Sequence, residues 1–136
     1  LPNTGILYYQ VVDPDADNRI VGYVFQETGA GLWGEIVAVV GLRADGETLT
    51  GIEFLKHNET PGLGARIEEP AFKKQFAGKR APLTPRSETG PARDTEFDAI
   101  TGATQTSRAV VDILNRAIED ARGALAERAA TPQTPP

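Results

Sequence analysis

The N-terminal part of the chain alternates between apolar, β-branched or aromatic segments and short turn sequences, a pattern typical of consecutive β-strands. Four strands are predicted, at residues 6–12, 19–26, 35–43 and 48–56. The third, EIVAVVGLR, is apolar through most of its length, which indicates a central strand covered on both faces. Because the connecting segments are short, the strands are expected to form antiparallel hairpins and not βαβ units.

The segments between the strands are rich in turn-forming residues. Residues 13–18, DPDADN, resemble part of a calcium loop, but the glycine and glutamate that such a loop requires are out of register. We therefore predict a solvated turn there, and no metal site. Residues 27–34, ETGAGLWG, have closely spaced glycines, yet a strand follows them where a dinucleotide-binding loop would need a helix. The Asp45-Gly46 pair is typical of a tight hairpin turn.

Two helices are predicted after the strands. Pro70 near a helix start, with Phe72 and Phe76 four residues apart, indicates a short amphipathic helix. A second, long helix is predicted from Gln105 to about Arg128, because apolar residues recur there at alternating spacings of three and four. The residues expected on its buried face are Val111, Leu114, Ile118, Ala121 and Leu125.

The predicted fold class is α+β: a twisted, mainly antiparallel sheet packed with a short helix and a long C-terminal helix. A chain of 136 residues with 40% hydrophobic content has the size of one ordinary domain, which we place at residues 1–128. Residues 79–94 are polar and rich in proline, so an exposed irregular loop is expected. Residues 129–136 are predicted to be a disordered tail.

The composition narrows the possible functions. A net charge of −5 argues against a nucleic-acid partner, which requires a basic surface. The absence of cysteine excludes thiolate-bound iron–sulfur clusters and thiol catalysis, and a single histidine excludes a histidine-rich metal site. Any redox chemistry must therefore come from an organic cofactor.

The segment DAITGAT, residues 98–104, lies directly before the long helix. A helix start carries unpaired N–H groups and the positive end of the helix dipole, so a small, hydroxyl-rich loop in front of it is suited to bind a phosphate. Gly102 and Ala103 keep the approach to Thr104 open. An alternative interpretation remains, because threonine and serine before a helix are also ordinary N-caps. The further hydroxyl donors expected toward a phosphate are Thr101, Thr106 and Ser107.

A second string, ETPGLG at residues 59–64, precedes the first by about 40 positions. Together the two strings resemble the FMN-binding domains of the RnfG and NqrC subunits of membrane electron-transport complexes. The family pattern Asp-x-x-(Ser/Thr)-Gly-Ala-Thr is filled at every fixed position by Asp98, Thr101, Gly102, Ala103 and Thr104. In that family a separate flavin transferase joins FMN, through its phosphate, to the hydroxyl of the last threonine. The resemblance therefore implies that Thr104 is the covalent FMN acceptor.

The resemblance also assigns roles to the second string, which in the family lies against the isoalloxazine ring. Pro61 stiffens the backbone there, and Leu63 is suited to pack on a ring face. The alternative is a Pro-Gly turn that only joins a strand to the next helix. Gly62 and Gly64 would let a flat ring approach the main chain, while Glu59 and Thr60 would offer polar groups to the ring edge or to a neighbouring backbone.

Three further side chains have weaker assignments. Asp98 would repel a phosphate, so we expect it to fix its loop by accepting backbone N–H groups or to be recognised by the transferase. Trp33 is expected to be a buried or edge packing residue in preference to a flavin-stacking one. His57 lies beside the second string, where a structural or solvated role is preferred over tuning a flavin proton.

The function implied by the resemblance is electron transfer by FMN, within a subunit of an ion-translocating oxidoreductase complex of the ferredoxin:NAD or NADH:quinone type. The expected partners are the flavin transferase and the other subunits of that complex. Family members usually place this domain outside the cytoplasm behind an N-terminal membrane helix, and this chain holds no apolar run of the roughly 20 residues needed to cross a bilayer. The alternatives are a free-standing extracytoplasmic flavoprotein and a module that holds FMN without a covalent bond.

Overall fold

The computed structural model describes residues 8–86 and 90–130, and they form a four-stranded sheet, two α-helices, two short 3₁₀ helices at Pro14–Ala16 and Gly64–Glu68, and a small parallel strand pair. The expected strand start at residues 6 and 7 and the tail at residues 131–136 lie outside the described residues. The elements are β1 (Tyr8–Asp13), β2 (Arg19–Ala30), β3 (Glu35–Arg43), β4 (Leu49–Lys56), α1 (Pro70–Lys74), β5 (Thr84–Pro85), β6 (Glu96–Phe97) and α2 (Thr104–Ala130).

The large sheet is antiparallel throughout, in the order β1-β2-β3-β4. This confirms the predicted α+β class and the hairpin connections. The β2 strand is four residues longer than predicted, because its pairing with β3 continues as far as Ala30 and Glu35. Sequence patterning missed this extension, since glycine and glutamate are poor strand formers in isolation.

The core lies between one face of the sheet and the long helix α2. Val110, Ile113, Leu114, Ala117 and Ile118 of the helix are buried. They pack on the sheet side chains Phe25, Ile36, Ala38, Val40 and Leu42, which are also buried. The predicted apolar face of the helix is confirmed, with Leu125 half-buried at its far end.

The opposite face of the sheet is only partly covered. On β3, Val37 and Val39 are half-buried, while their neighbours Ile36 and Ala38 are fully buried. The expectation that this strand is covered on both faces was therefore wrong, since the side chains on its second face keep part of their surface exposed to water. No helix among the described residues is long and apolar enough to cross a membrane.

The C-terminal half contains two further differences from the prediction. Residues 79–94 are not wholly irregular, because β5 pairs in parallel with β6. Two-residue strands carry no periodicity from which they could be predicted. The second difference lies at the end of α2, where Ala129 and Ala130 are helical although they were assigned to the tail.

Candidate functional site

Glu59 stands at the centre of the site and is only 5% exposed. Its carboxylate accepts hydrogen bonds from the backbone N–H groups of Leu32 at 3.0 Å and Trp33 at 3.2 Å. It also accepts a bond of 2.7 Å from the hydroxyl of Thr106, at the start of α2. One side chain therefore joins the β2–β3 turn, the loop at residues 59–64 and the first turn of the long helix.

These contacts explain why a buried carboxylate is stable here. Burial alone would raise the pKa of Glu59, but the hydrogen bonds from Thr106, Leu32 and Trp33, together with His57, hold the pKa below its usual value. The group is therefore ionised at neutral pH, and its charge is compensated by donors inside the fold.

The loop at residues 59–64 is held close to α2 by a glycine. A Cβ added at Gly64 would lie 2.7 Å from the Thr106 hydroxyl and 2.9 Å from the Cβ of Glu59. Gly62 instead takes a left-handed conformation, with φ of +78°, in an exposed turn where the N–H of Leu63 donates to the carbonyl of Thr60. The expectation that both glycines make room for a ring is therefore corrected, because Gly64 is buried and its missing side chain lets the loop pack closely against α2.

In contrast to the buried Glu59 of the first motif, the side chains of Thr101 and Thr104 in the second motif are exposed. Thr104 is the first residue of α2 and its side chain faces solvent. The N–H groups of residues 104–106 find no acceptor among the described residues, since the first bond of the helix runs from Ser107 N–H to the carbonyl of Ala103. Gly102 turns the chain into the helix with φ of +81°. The helix thus begins with uncapped donors, which suits an anion.

Two of the expected phosphate donors have other roles. Thr106 is 2% exposed and donates to Glu59, and Ser107 is fully buried and accepts a hydrogen bond from the N–H of Ile100. Their hydroxyl groups therefore hold the site together from inside and do not reach a surface phosphate. Thr101 and Thr104 remain exposed, and neither caps the helix, so the interpretation of these threonines as ordinary N-caps is not supported.

Asp98 is fixed by contacts that the sequence did not reveal. Its N–H donates to Gln75 Oε1 at 2.7 Å, and its carbonyl accepts from Gln75 Nε2 at 3.0 Å. Its carboxylate pairs with Arg86 Nε at 2.8 Å. The expectation that the Asp98 carboxylate accepts backbone N–H groups is therefore corrected. No motif marks Gln75 or Arg86, because both contacts form between segments distant in sequence.

An exposed apolar rim borders the site. The side chains of Leu32, Trp33 and Leu63 are 53%, 65% and 49% exposed, although the backbone N–H groups of Leu32 and Trp33 bind Glu59. Trp33 was expected to be a buried or edge packing residue, and its exposure rules out the buried position. A Cβ placed on Gly102 would lie 3.8 Å from the side chain of Leu63, so this rim reaches the loop at residues 98–104. Exposed aromatic and aliphatic groups at such a position are suited to a flat ring.

His57 has a structural contact. Its Nδ1 accepts the N–H of Glu59 at 3.2 Å, and its ring lies edge-on to Phe54. This geometry agrees with the preferred structural role for the histidine. Among the described residues, no group of three or more histidine, aspartate or glutamate side chains is arranged to hold a metal.

Glu27, another buried carboxyl group, lies apart from these contacts on β2. Burial is the largest cause that raises the pKa of Glu27 to about 8, followed by its hydrogen bond to Asp120 and the negative charge there, while Arg116 opposes the shift. Glu27 is therefore protonated at neutral pH and donates to Asp120 of α2.

Comparison with known proteins finds one domain family and relatives that are subunits of ion-translocating complexes. A model of the FMN-binding domain family matches residues 31–119. The G subunit of the ion-translocating oxidoreductase complex of Methanosarcina acetivorans is 40% identical over 117 residues, which cover 86% of this chain and 59% of that protein. The C subunit of the Na(+)-translocating NADH-quinone reductase of Vibrio vulnificus is 35% identical over 116 residues, covering 79% of this chain and 44% of that protein.

Two solved structures share the fold. NqrC of Shewanella oneidensis superimposes with a TM-score of 0.72 at 22% identity, covering 85% of this chain and 60% of that one. The C subunit of the Na(+)-translocating NADH-quinone reductase of Parabacteroides distasonis gives a TM-score of 0.66 at 28% identity, covering 95% and 63%. The chain thus spans between two fifths and two thirds of the length of these relatives. With both motifs in place, the match over residues 31–119 shows that the chain belongs to the FMN-binding domain family of RnfG and NqrC subunits.

Proposed function

We propose that this domain is an electron carrier whose FMN is attached by a phosphoester bond to the hydroxyl of Thr104. The observation that carries the proposal is the start of α2. There an exposed threonine hydroxyl lies beside uncapped N–H groups, in a first turn that contains no acidic residue. A phosphate at this position gains hydrogen bonds and the helix dipole without meeting a negative charge from that turn.

The attachment step requires a donor and an enzyme from outside the domain. The Thr104 oxygen forms a bond to the phosphorus of FMN, and the phosphoanhydride bond of an activated flavin nucleotide breaks. The leaving group is the second nucleotide, as its monophosphate, and the threonine proton passes to a base of the flavin transferase. This domain supplies the hydroxyl group, the phosphate-binding helix start and the shape of the loop.

The rim beside Thr104 is suited to hold the isoalloxazine ring. Leu32, Trp33 and Leu63 present apolar surface to solvent, and burying that surface against a ring would be favourable by about 25 cal/mol per Å². Glu59 fixes the backbones of the β2–β3 turn from behind, so the rim is preorganised. Bound FMN supplies the acceptance and donation of electrons, and the protein supplies position and electrostatics.

The names of the relatives suggest the setting. The matched proteins of M. acetivorans and V. vulnificus are named as parts of ion-translocating complexes. We infer that this domain passes electrons to and from other subunits of such a complex, on the extracytoplasmic side of the membrane and anchored by an N-terminal helix outside this chain. A free-standing extracytoplasmic flavoprotein would use the same site with a different partner.

Intact mass after denaturation tests the proposal, on protein produced together with a flavin transferase. We expect the wild-type chain to carry the mass of FMN less one water, and Thr104→Ala to carry none. Thr84→Ala is the matched control, since the Thr84 side chain is also exposed but lies outside both motif loops, and this variant should be modified fully. An unmodified wild-type chain that binds FMN reversibly would replace the covalent carrier with a non-covalent FMN module.

A further inference from the structure

The loop that presents Thr104 is held by two residues outside both sequence motifs. Resting on the proposed attachment at Thr104, we propose that Gln75 and Arg86 are positioning residues for flavin attachment. Gln75 fixes the backbone at the start of this loop, residues 98–104, which we call the attachment loop. Arg86 neutralises the carboxylate of Asp98 in the same loop.

The contact of Gln75 with Asp98 resembles a step of strand pairing. The side-chain amide accepts the N–H of Asp98 at 2.7 Å and donates to its carbonyl at 3.0 Å, so both backbone groups of one residue are satisfied. Gln75 directly follows α1, which is connected to the loop at residues 59–64 by the 3₁₀ helix Gly64–Glu68. This amide therefore connects the attachment loop with the chain that follows the loop at residues 59–64, which we call the ring-binding loop.

Two contacts connect the region around Thr104 with the ring-binding loop and the chain that follows it, and the Gln75 amide is the second of them. The first is the bond from Thr106 to Glu59, which joins the first turn of α2 to the same ring-binding loop. The attachment loop is thus fixed at its start, by Gln75, and just after its end, by Thr106. Between these points Thr101, Gly102 and Thr104 stay exposed. The arrangement holds Thr104 in one position while leaving it open to an enzyme.

Arg86 acts on the charge of the loop. Its N–H donates to the carbonyl of Phe97, which places its side chain beside Asp98, and the guanidinium lies 2.8 Å from the carboxylate. Without this cation the carboxylate would repel the phosphate that approaches Thr104 in the same loop. The guanidinium also donates to the carbonyl of Gly90, which holds it in place.

These contacts lie at the surface, so they contribute little to stability. The side chains of Arg86 and Asp98 are 32% and 55% exposed, and exposed ion pairs contribute at most about 1 kcal/mol. Gln75 is half-buried and belongs to no apolar cluster. Their removal should therefore change the position and charge of the loop more than the fold, and misplacing a reacting group by about 1 Å can slow a reaction by roughly 10²-fold.

The test treats the purified domain as the substrate of a flavin transferase and measures initial rates of covalent loading. Gln75→Ala should lower kcat by about tenfold or more. Arg86→Gln should raise KM several-fold, whereas Arg86→Lys, which keeps the positive charge, should have a KM close to that of the wild-type chain. The matched controls are Lys74→Ala on α1 and Arg93→Gln in the same proline-rich segment, and both should load at the wild-type rate.

A core variant separates positioning from loss of stability. Ile118→Val lies in the buried face of α2 and should lower the melting temperature without touching the loop. Slow loading of Ile118→Val to the extent seen for Gln75→Ala would overturn the inference. So would wild-type kinetics for both Gln75→Ala and Arg86→Gln. Absence of any adduct on Thr104 of the wild-type chain is a different result, which overturns the proposed function itself.

Discussion

The two motif loops of this domain use their polar groups in opposite ways. The loop at residues 59–64 turns its carboxylate inward, where Glu59 accepts three hydrogen bonds and is almost wholly buried. The loop at residues 98–104 leaves its threonines exposed and the first N–H groups of α2 unpaired. The difference shows that the carboxylate of the first loop holds parts of the fold together, while the second loop presents the exposed hydroxyl of Thr104, which we propose as the point of FMN attachment.

Removing the carboxylate of Glu59 should have the largest effect on stability. Glu59→Ala leaves two backbone N–H groups and the buried hydroxyl of Thr106 without their acceptor, so we expect a loss of about 3–5 kcal/mol in unfolding free energy. Urea denaturation measures it. Glu69→Ala is the control, because that exposed side chain only pairs with Arg66 at the surface, and it should cost less than about 1 kcal/mol.

A second comparison concerns two buried carboxyl groups, because Glu59 is ionised and Glu27 is protonated at neutral pH. The pKa of Glu27 is about 8 in the folded chain and near 4.5 when unfolded, so folding binds a proton between these values. The contribution of Glu27 to stability is therefore full below pH 4.5, falls as pH rises toward 8 and is lost above, a total of up to about 5 kcal/mol.

Urea denaturation at several pH values checks this prediction. Glu27→Gln, which keeps a donor toward Asp120, should remove the fall between pH 4.5 and 8. The pKa of Glu59 is lowered instead, so its contribution is present at neutral pH and is lost on acidification below its usual value, in a separate window. An unchanged pH profile for the Glu27 variant would show that this group does not hold the proton.

Two glycines in the first loop should differ in what they tolerate. Gly64→Ala places a methyl group 2.7 Å from the Thr106 hydroxyl, and we expect a loss of about 1–3 kcal/mol. Gly62→Ala meets no atom within 4 Å and is strained only by its φ of +78°, which costs about 1 kcal/mol. Melting curves of the two variants compare them, and an equal or larger loss for Gly62→Ala would contradict the close contact at Gly64.

The smallest effect is expected in the second loop. Thr101→Ala removes an exposed hydroxyl that caps nothing, so stability should change by less than about 0.5 kcal/mol. A larger loss, measured by urea denaturation, would mean that the attachment loop depends on Thr101 and is not held mainly from outside.

Local pattern was sufficient to predict the four strands of the large sheet, apart from the end of β2, and the buried face of α2. Alternation places Tyr23 and Phe25 on one side of a strand, and helical spacing places Leu114 and Ile118 on one side of a helix, so their burial follows from spacings of a few residues. The two motif strings likewise predicted the family to which the chain belongs. The hydrophobic spacing and the motif strings are each contained within a short segment of the sequence.

Long-range contacts could not be predicted in the same way. The bond from Thr106 to Glu59 joins residues 47 positions apart, and that of Leu83 N–H to Asn115 joins residues 32 apart. The burial of Thr106 and the exposure of Trp33 are set by such contacts, and no composition or spacing encodes them. For this reason the sequence could not show that the hydroxyl groups of Thr106 and Ser107 are bonded inside the fold.

The most direct test of the central claim is peptide mapping of the flavin adduct. Trypsin releases residues 94–108 as one peptide, which contains Thr95, Thr101, Thr104, Thr106 and Ser107. Fragmentation of this peptide, from wild-type protein produced with a flavin transferase, should place the mass of FMN less one water on Thr104 alone. An adduct on another of these hydroxyl groups, or no adduct under these conditions, would contradict the account.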